Sequence, residues 1–321
     1  MIPSLASIIS RLRLKHLRLL VALDDQGSLL KAAEQIAISQ PGATKALQEI
    51  EGALGAILFV RTNRGLEPND LGRCAIRYAR LITTDVAQLR EEMGGILQGH
   101  GGRLSIGAIM GAVPLLTDVL VRFLEKRPNT SIQIVEDNSA RLLRLLDDGR
   151  LDLAICRTSI SQRPELYASV NIRNEQLFVV ASAEHPLATA KHLDLSDLAN
   201  TPWIVYSANM PMRRLLEREF HQAGLQFPLN LLETTSLFAT LSMLQRKPTM
   251  VAVLSIDVAQ FCTASGITTI LPLRLQSRSE PYFLVKRHDR ILSPIGQLLF
   301  QEFINEATID VMKYAGQIQP S

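Results

Sequence analysis

A small helical head followed by a long two-lobed α/β body is the fold class predicted for this chain of 321 residues. Three observations predict it. Two short amphipathic helical patterns between Ser28 and Glu51 are joined by a break at Ala37–Ile38–Ser39. A sustained heptad-like pattern follows and stops at a Gly-rich stretch. Beyond that, apolar strand patterns alternate with amphipathic helices in two series, as helix-covered sheets require. The length exceeds what one small core organises and suits two domains or more.

Composition narrows the class. Hydrophobic residues make up 47% and charged residues 20%, a globular balance. A formal charge of +3 does not announce a nucleic-acid binder, so any basic footprint must be local. Cys74, Cys156 and Cys262 are far apart and odd in number, which suggests neither a disulfide framework nor a zinc ribbon. In MIPSLASIIS the charges follow the apolar run, the reverse of a secretory signal. No apolar run approaches the ~18 residues of a membrane span. A soluble protein of the reducing cytoplasm, with no membrane partner, is expected.

The elements follow in order. Arg13 to Asp25 is a helix with Leu14, Leu17, Leu20 and Val21 as its packing stripe, and Gly27 ends it. Leu29, Ala32, Ala33 and Ile36 then repeat at helical spacing behind Ser28, a candidate N-cap. Ser39 is the N-cap of the next helix, with Pro41 in its first turn, where a missing N–H costs little. Ala43, Leu47 and Ile50 face inward, and the small Ala32–Ala33 pair allows close approach, as a helix-turn-helix needs. Gln40, Thr44, Lys45 and Gln48 face outward, neutral donors and acceptors plus one cation, suited to base edges and phosphates. An ordinary helical hairpin with a polar face is the alternative. The next stretch decides: Leu54 to Leu66 reads as a strand, a turn at Asn63–Gly65 and a return. Arg61 and Arg64 flank the tip, as a wing resting on phosphates would place them.

At these residues the chain resembles the winged helix-turn-helix of the LysR-type transcriptional regulators. The resemblance is carried by LRLLVALDDQGSLLKAAEQIAISQPGATKALQEIEGALGAILFVRTNRG, above all by Ser39-Gln40-Pro41 and by Glu51, Leu54-Gly55, Leu58-Phe59 and Arg61. The fold class is then an all-α winged helix-turn-helix followed by a two-lobed, Rossmann-like α/β domain of the periplasmic-binding-protein type.

From Asn69, a good cap, a helix is predicted to about Gln98. Ala75, Ala79, Ile82, Val86, Leu89, Met93 and Ile96 form a heptad seam. A helix lying on its own domain is one reading. A dimerising coiled coil is preferred, because a reader of two half-sites needs a two-fold partner; the resemblance implies the same linker helix. Gln98-Gly99-His100-Gly101-Gly102 is the hinge. Strands at Leu104–Ile109, Ser131–Glu136 and Leu151–Cys156 alternate with helices at Pro114–Lys126 and Ala140–Asp148, predicting a parallel sheet. The second series has strands near Gln176–Ala181, Trp203–Tyr206, Leu229–Glu233 and Met250–Leu254, and helices near Met212–Gln222 and Ser236–Gln245. Tyr282–Lys286 is a late strand and Pro294–Val311 a closing helix. The domain expectation is 1–68 for the head, 69–98 for the linker, 99–102 for the hinge and 103–321 for the body. Lobe I takes about 103–174 and 275–321, lobe II about 175–274, with the chain crossing twice. The stretches LSIGAIMGAVPLLTDVLVRF, LLRLLDDGRLDLAI and FVVASAEHPLA resemble the LysR effector domain.

Ligands of open α/β folds sit at strand carboxyl ends and helix N-termini. Candidate effector contacts are Met110, Gly111 and Ala112, then Ser207 and Asn209, then Thr235 and Ser236. For the polar ones helix capping is the alternative. Many LysR proteins hold a carboxylate with Ser or Thr in the first segment; here Ile109, Met110 and Gly111 stand there. The resemblance is nearest to regulators of sugar-uptake and aromatic-acid genes, so an aromatic acid or sugar-related effector is expected.

Other chemistries lack partners. Ser28-Leu29-Leu30-Lys31 matches S-x-x-K with no companion motif. His185 and His192 have no clustered metal ligands, and no phosphate-binding glycine loop or nucleophile elbow occurs. No cofactor, metal or catalytic residue is expected. A cytoplasmic solute-binding module and an α/β enzyme are the rival readings.

Taken together, the expectation is an effector-controlled LysR-type regulator that is not an enzyme. Gln40, Pro41, Thr44 and Lys45 enter the major groove of promoter DNA, Ser39 is a further DNA-binding residue at the helix start, Ser28 and Lys31 approach phosphates, and Arg61 and Arg64 place the wing. The family has Ser and Arg where Thr44 and Lys45 stand, and lysine lacks arginine's bidentate fork to guanine. The resemblance implies a homotetramer built from linker-helix homodimers, and contact with RNA polymerase if it activates.

Overall fold

A computed structural model describes residues 2–62, 65–97, 103–208, 210–277 and 279–315. The wing tip Asn63–Arg64, the hinge 98–102, Asn209 and the side chain of Ile96 lie outside the described residues. The chain divides into two compact units, Met1–Arg103 with Arg144–Leu151, and Leu104–Leu143 with Asp152–Ser321.

The first unit begins with α1 (Leu5–Arg11), which the apolar opening did not announce. Then α2 (Leu14–Gln26) is the centre of the helical core, packed by α3 (Leu29–Gln35), α4 (Gln40–Leu54) and α5 (Asp70–Leu97). Because neighbours press on it from several sides, its buried arc is wide: Leu17, Leu19, Leu20, Ala22 and Leu23 are inside. Leu14, expected on the stripe, is exposed at the end of the helix, and Val21 is half-buried. Ala32 and Ala33 are fully buried, as a close helix crossing requires. Ser28 occupies the cap position of α3 but makes no side-chain cap bond, correcting the expected capping.

The turn between α3 and α4 is tight. Ala37 takes a left-handed φ of 59°, and Ile38 N–H donates back to Ala33 O at 3.0 Å. Such a conformation costs a Cβ-bearing residue about 1–2 kcal/mol. Strands β1 (Phe59–Thr62) and β2 (Gly65–Pro68) pair antiparallel. Gly65, at φ 125°, brings its backbone so close to Gly27 that a Cβ would lie 2.6 Å from Gly27 O. Asn69 caps α5 as expected, its Oδ1 accepting Gly72 N–H at 2.8 Å.

The second unit contains two five-stranded sheets. One runs β4-β3-β5-β12-β6, with β3 (Arg103–Ala108), β4 (Ser131–Glu136), β5 (Leu153–Cys156), β6 (Tyr167–Arg173) and β12 (Tyr282–Arg287). The other runs β11-β7-β10-β8-β9, with β7 (Leu177–Ala181), β8 (Trp203–Val205), β9 (Leu231–Glu233), β10 (Val251–Ser255) and β11 (Thr269–Ile270). The expected parallel pairing holds for β3 with β5 and for β10 with β8, but both sheets are mixed. Strand β12 is antiparallel to β5 and β6, and β7 to β10. Each of these enters from the other sheet, so it runs against its hosts. The expected strand at Leu229 starts at Leu231, leaving Leu229 fully exposed.

Helices α6 (Val113–Lys126), α8 (Pro211–Gln222), α9 (Leu237–Arg246), α10 (Ile256–Ala264) and α11 (Pro294–Ala315) complete the unit, with the first part of α7 (Ser139–Asp147), whose end from Arg144 belongs to the first unit. The second sheet has two distinct apolar faces. Leu177, Val179, Trp203, Val205 and Val251 face one core; Val180, Ile204, Ala252 and Leu254 face the other. That is the period of two expected for strands covered on both sides. Trp203 anchors the first core, edge-on to Phe220 at 5.5 Å, its Nε1–H donating to Leu198 O at 2.9 Å.

Candidate nucleic-acid interface and effector cleft

Helix α4 is positioned by its own ends. Ser39 Oγ accepts Gly42 N–H at 3.2 Å, Pro41 sits in the first turn, and Gly55 closes the helix at φ 68°. Ala43, Ile50 and Ala53 are buried, which turns Gln40, Pro41, Lys45 and Gln48 outward. Thr44 is half-exposed, and its hydroxyl donates to Gln40 O at 3.1 Å, leaving its lone pairs for an incoming donor. Glu51 Oε1 accepts Leu58 N–H at 2.8 Å, fastening the end of α4 to the strand that carries exposed Arg61. Lys31 is exposed and Ser28 half-buried on α3. Thus Ser39, Gln40, Pro41, Thr44 and Lys45 gather on the first turns of one helix, with Arg61 on the wing; Arg64 lies outside the described residues.

Beneath them His16 is buried. Its Nδ1 accepts Arg13 N–H at 3.3 Å and its Nε2 stands 3.3 Å from Glu49 Oε2. Burial holds the imidazole below its usual pKa, against the pull of Glu49. Arg80 of α5 bonds Asp24 at 2.6 Å and Asp25 at 2.5 Å, tying the linker helix to α2. Along α5, Ala79 is buried in the head, whereas Ile82, Val86, Leu89 and Met93 of the heptad seam are exposed.

In the second unit Met110, Thr235 and Ser236 line one small pocket. Tyr206, Thr234 and Thr240 join them there. Gly111 and Ala112 are buried behind Met110. Ser236 Oγ accepts Ala239 N–H at 3.2 Å, so it also caps α9. Ser207 is half-buried but does not line this pocket, and Asn209 lies outside the described residues.

Sequence reasoning missed the polar knot at the two chain crossings. Arg157, at the carboxyl end of β5, pairs with Glu175 on the first crossing. Its guanidinium also donates to Ser279 Oγ at 3.1 Å and Glu280 O at 3.3 Å on the second. Asp257 of α10 pairs with Arg173 and accepts from Tyr282 OH at 2.9 Å. Burial pushes the Glu175 carboxyl up against the pull of Arg157, and drives the Tyr206 and Tyr282 hydroxyls up as well. The one available signal was placement: Arg157 directly follows an entirely apolar strand, and Glu175 lies where the chain changes sheets.

Nothing among the described residues brings three histidine, cysteine or carboxylate side chains together as a metal site. Nor is any described helix long and apolar enough to cross a membrane. Cys156 is buried, its thiol pushed up to about 12 by burial, which leaves it unreactive.

Residues 14–73 match the bacterial regulatory helix-turn-helix protein, lysR family, and residues 97–308 match the LysR substrate binding domain. The HTH-type transcriptional regulator GbpR of Azospirillum brasilense is 33% identical over 287 residues, spanning 89% of this chain and 84% of its own. The HTH-type transcriptional regulator GalR of Pseudomonas putida is 29% identical over 296 residues, 89% of this chain and 72% of its own. Among solved structures, the LysR family transcriptional regulator CbnR shares the fold at a TM-score of 0.62 and 17% identity, covering 92% of this chain and 99% of that one. Full-length CbnR complexed with its target DNA gives a TM-score of 0.60 at 18% identity and the same coverage.

Proposed function

This chain belongs to the LysR family of bacterial helix-turn-helix transcriptional regulators, and from that premise we propose how it reads DNA and what it answers to. The observation that carries the reading is the outward face of α4. Gln40, Thr44 and Lys45 project from its first turns while its apolar residues are spent on the core. Gln40 and Lys45 read base edges, Thr44 and Ser39 support them, and Pro41 packs against the groove wall. Ser28 and Lys31 on α3 and Arg61 and Arg64 on the wing hold the phosphates.

The linker helix supplies the two-fold partner. Exposed Ile82, Val86, Leu89 and Met93 repeat at heptad spacing, and a second copy covers them. Two such homodimers form the working tetramer, acting in the cytoplasm, and RNA polymerase is a further partner if the protein activates. A small molecule enters the pocket lined by Met110, Thr235 and Ser236, with Gly111, Ala112 and Ser207 as further proposed contacts; Asn209, the remaining candidate, lies outside the described residues. By binding one inter-lobe arrangement better than another it shifts their populations. No catalytic role is assigned to any residue.

The test is a footprint of the purified protein on DNA upstream of its own gene, at fixed moderate salt. Protection of a two-fold repeat across several helical turns is expected. Equal, weak occupancy of that DNA and of competitor would move the assignment to a solute-binding module or an enzyme.

A further inference from the structure

None of the described residues that line the pocket is cationic. Its lining includes the hydroxyl-bearing residues Tyr206, Thr234, Thr235, Ser236 and Thr240 among apolar neighbours; Thr234 Oγ1 accepts Ser236 N–H and the Thr240 hydroxyl donates to Ser236 O, both at 3.1 Å. Three described arginines near it are matched, Arg157 with Glu175, Arg173 with Asp257, and Arg213 with Glu233 at 2.9 Å; Arg278, on the second crossing, lies outside the described residues. A carboxylate entering here would find no free cation among the described residues of the cleft.

A buried polar pair lies next to two of the lining residues, Met110 and Leu254. Glu175 Oε1 and Ser255 Oγ are buried without a hydrogen-bond partner, in residues only 2% and 1% exposed. Both crowd Gly111, on the turn that leads into α6: a Cβ there would overlap Glu175 Oε1 and lie 3.1 Å from Ser255 Oγ. Gly111 follows the lining residue Met110 and Ser255 follows the lining residue Leu254, so Glu175 reaches the lining only through its contact with Gly111. Unpaired buried acceptors of this kind cost stability until a donor meets them. The amino end of a 14-residue helix attracts negative charge, and Glu175 brings that charge from within the chain.

We propose that Glu175 is the built-in anion of the effector cleft, so that the effector is a neutral, hydroxyl-bearing compound rather than a carboxylate. Its hydroxyls donate to Glu175 Oε1 and Ser255 Oγ, while the ring of threonine and serine hydroxyls holds its remaining oxygens. This rests on the reading of the cleft as the effector site. It excludes the aromatic-acid half of the sequence expectation and keeps the sugar-like half. Sequence alone offered no route to it, because Gly111, Glu175 and Ser255 come from three distant segments.

The experiment is thermal unfolding of the full chain in sodium acetate or benzoate against sodium chloride at equal ionic strength. Neither organic anion should protect the wild type. Glu175→Ala vacates the anion position beside Arg157, so acetate should raise its Tm by about 2–4 °C, and Glu175→Gln should respond in the same direction. The double variant R157M/E175M, with neither charge, should be indifferent. Should the single variants not fold, refolding yield in acetate against chloride carries the same reading. Matched pairs of probes sharpen it: D-galactose with D-galacturonate, and D-glucose with D-glucuronate. In any pair that registers on the wild type, the neutral member should bind at least roughly tenfold tighter, the effect of a single good hydrogen bond to a charged group. Protection of the wild type by benzoate or by a uronate over its sugar, or no acetate response in the Glu175 variants, would overturn the assignment. The footprint is read separately. A lost footprint with acetate rescue intact sinks the regulator reading alone, and the reverse sinks only the proposal.

Discussion

The outward face of α4, proposed to read DNA, and the cleft with the polar knot at the chain crossings, proposed to hold the effector, solve opposite problems. The reader is built from one short stretch: a serine cap, a proline in the first turn, apolar residues inward and polar ones outward. Its functional side chains are exposed and owe each other little. The cleft is assembled from segments more than a hundred residues apart, and its polar groups are buried and mutually dependent. A change on the reader should therefore alter recognition and spare the fold. A change in the cleft's knot should strike the fold first.

The sharpest way to break that contrast is Arg157→Met. It leaves the Glu175 carboxylate buried without its guanidinium, a loss of about 3–5 kcal/mol at pH 8 by chemical denaturation. The deficit should shrink toward pH 5. Burial already raises the Glu175 pKa, so the folded variant takes up a proton before the unfolded chain does and recovers stability as pH falls. A deficit independent of pH would mean that Arg157 acts by packing alone.

In the reader, Ala37→Gly should stabilise the protein by about 1 kcal/mol, since the turn holds a Cβ-bearing residue at φ 59°. An unchanged midpoint would show that the turn relaxes in solution. Lys31→Ala should leave stability alone, weaken all DNA about equally and lower the salt slope by about one, measured by titration at several salt concentrations. A sequence-dependent loss would place Lys31 at a base instead of a phosphate.

The smallest effect concerns His16. Its imidazole is held below the usual value by burial, so the unfolded chain protonates first as pH falls. Its contribution is complete above about pH 6.5 and drains away as pH drops through the folded value. Melting temperatures between pH 8 and 5 should show a decline that His16→Gln flattens, and equal slopes would assign the decline to other groups.

The same contrast explains what could be read from residues alone. Helix caps, the Ala32–Ala33 pair and the heptad spacing are local signals, and the helical head could be drawn from them. Strand β6 (YASVNIR) and helix α10 (IDVAQFCTA) escaped notice, although β6 does alternate in burial. Helix α10 is apolar on most sides because it packs on α6 and the Met110 turn as well as on its own sheet, so helical periodicity is blurred. The antiparallel entry of β12 was illegible, since strand direction depends on where the chain crosses. Of the cleft, the turns at Met110 and Thr235 were legible as strand ends. Arg157, Glu175 and Ser255 were not, because only the folded chain brings them together.

The most direct test of the reader is the ratio of Kd for the protected operator to Kd for a scrambled duplex, in wild type and Gln40→Ala, at two salt concentrations. If α4 reads bases through Gln40, that ratio should narrow by about 1–3 kcal/mol, with the salt slope unchanged. If Gln40→Ala weakens both duplexes equally, or leaves both untouched, α4 is not the element that reads the sequence.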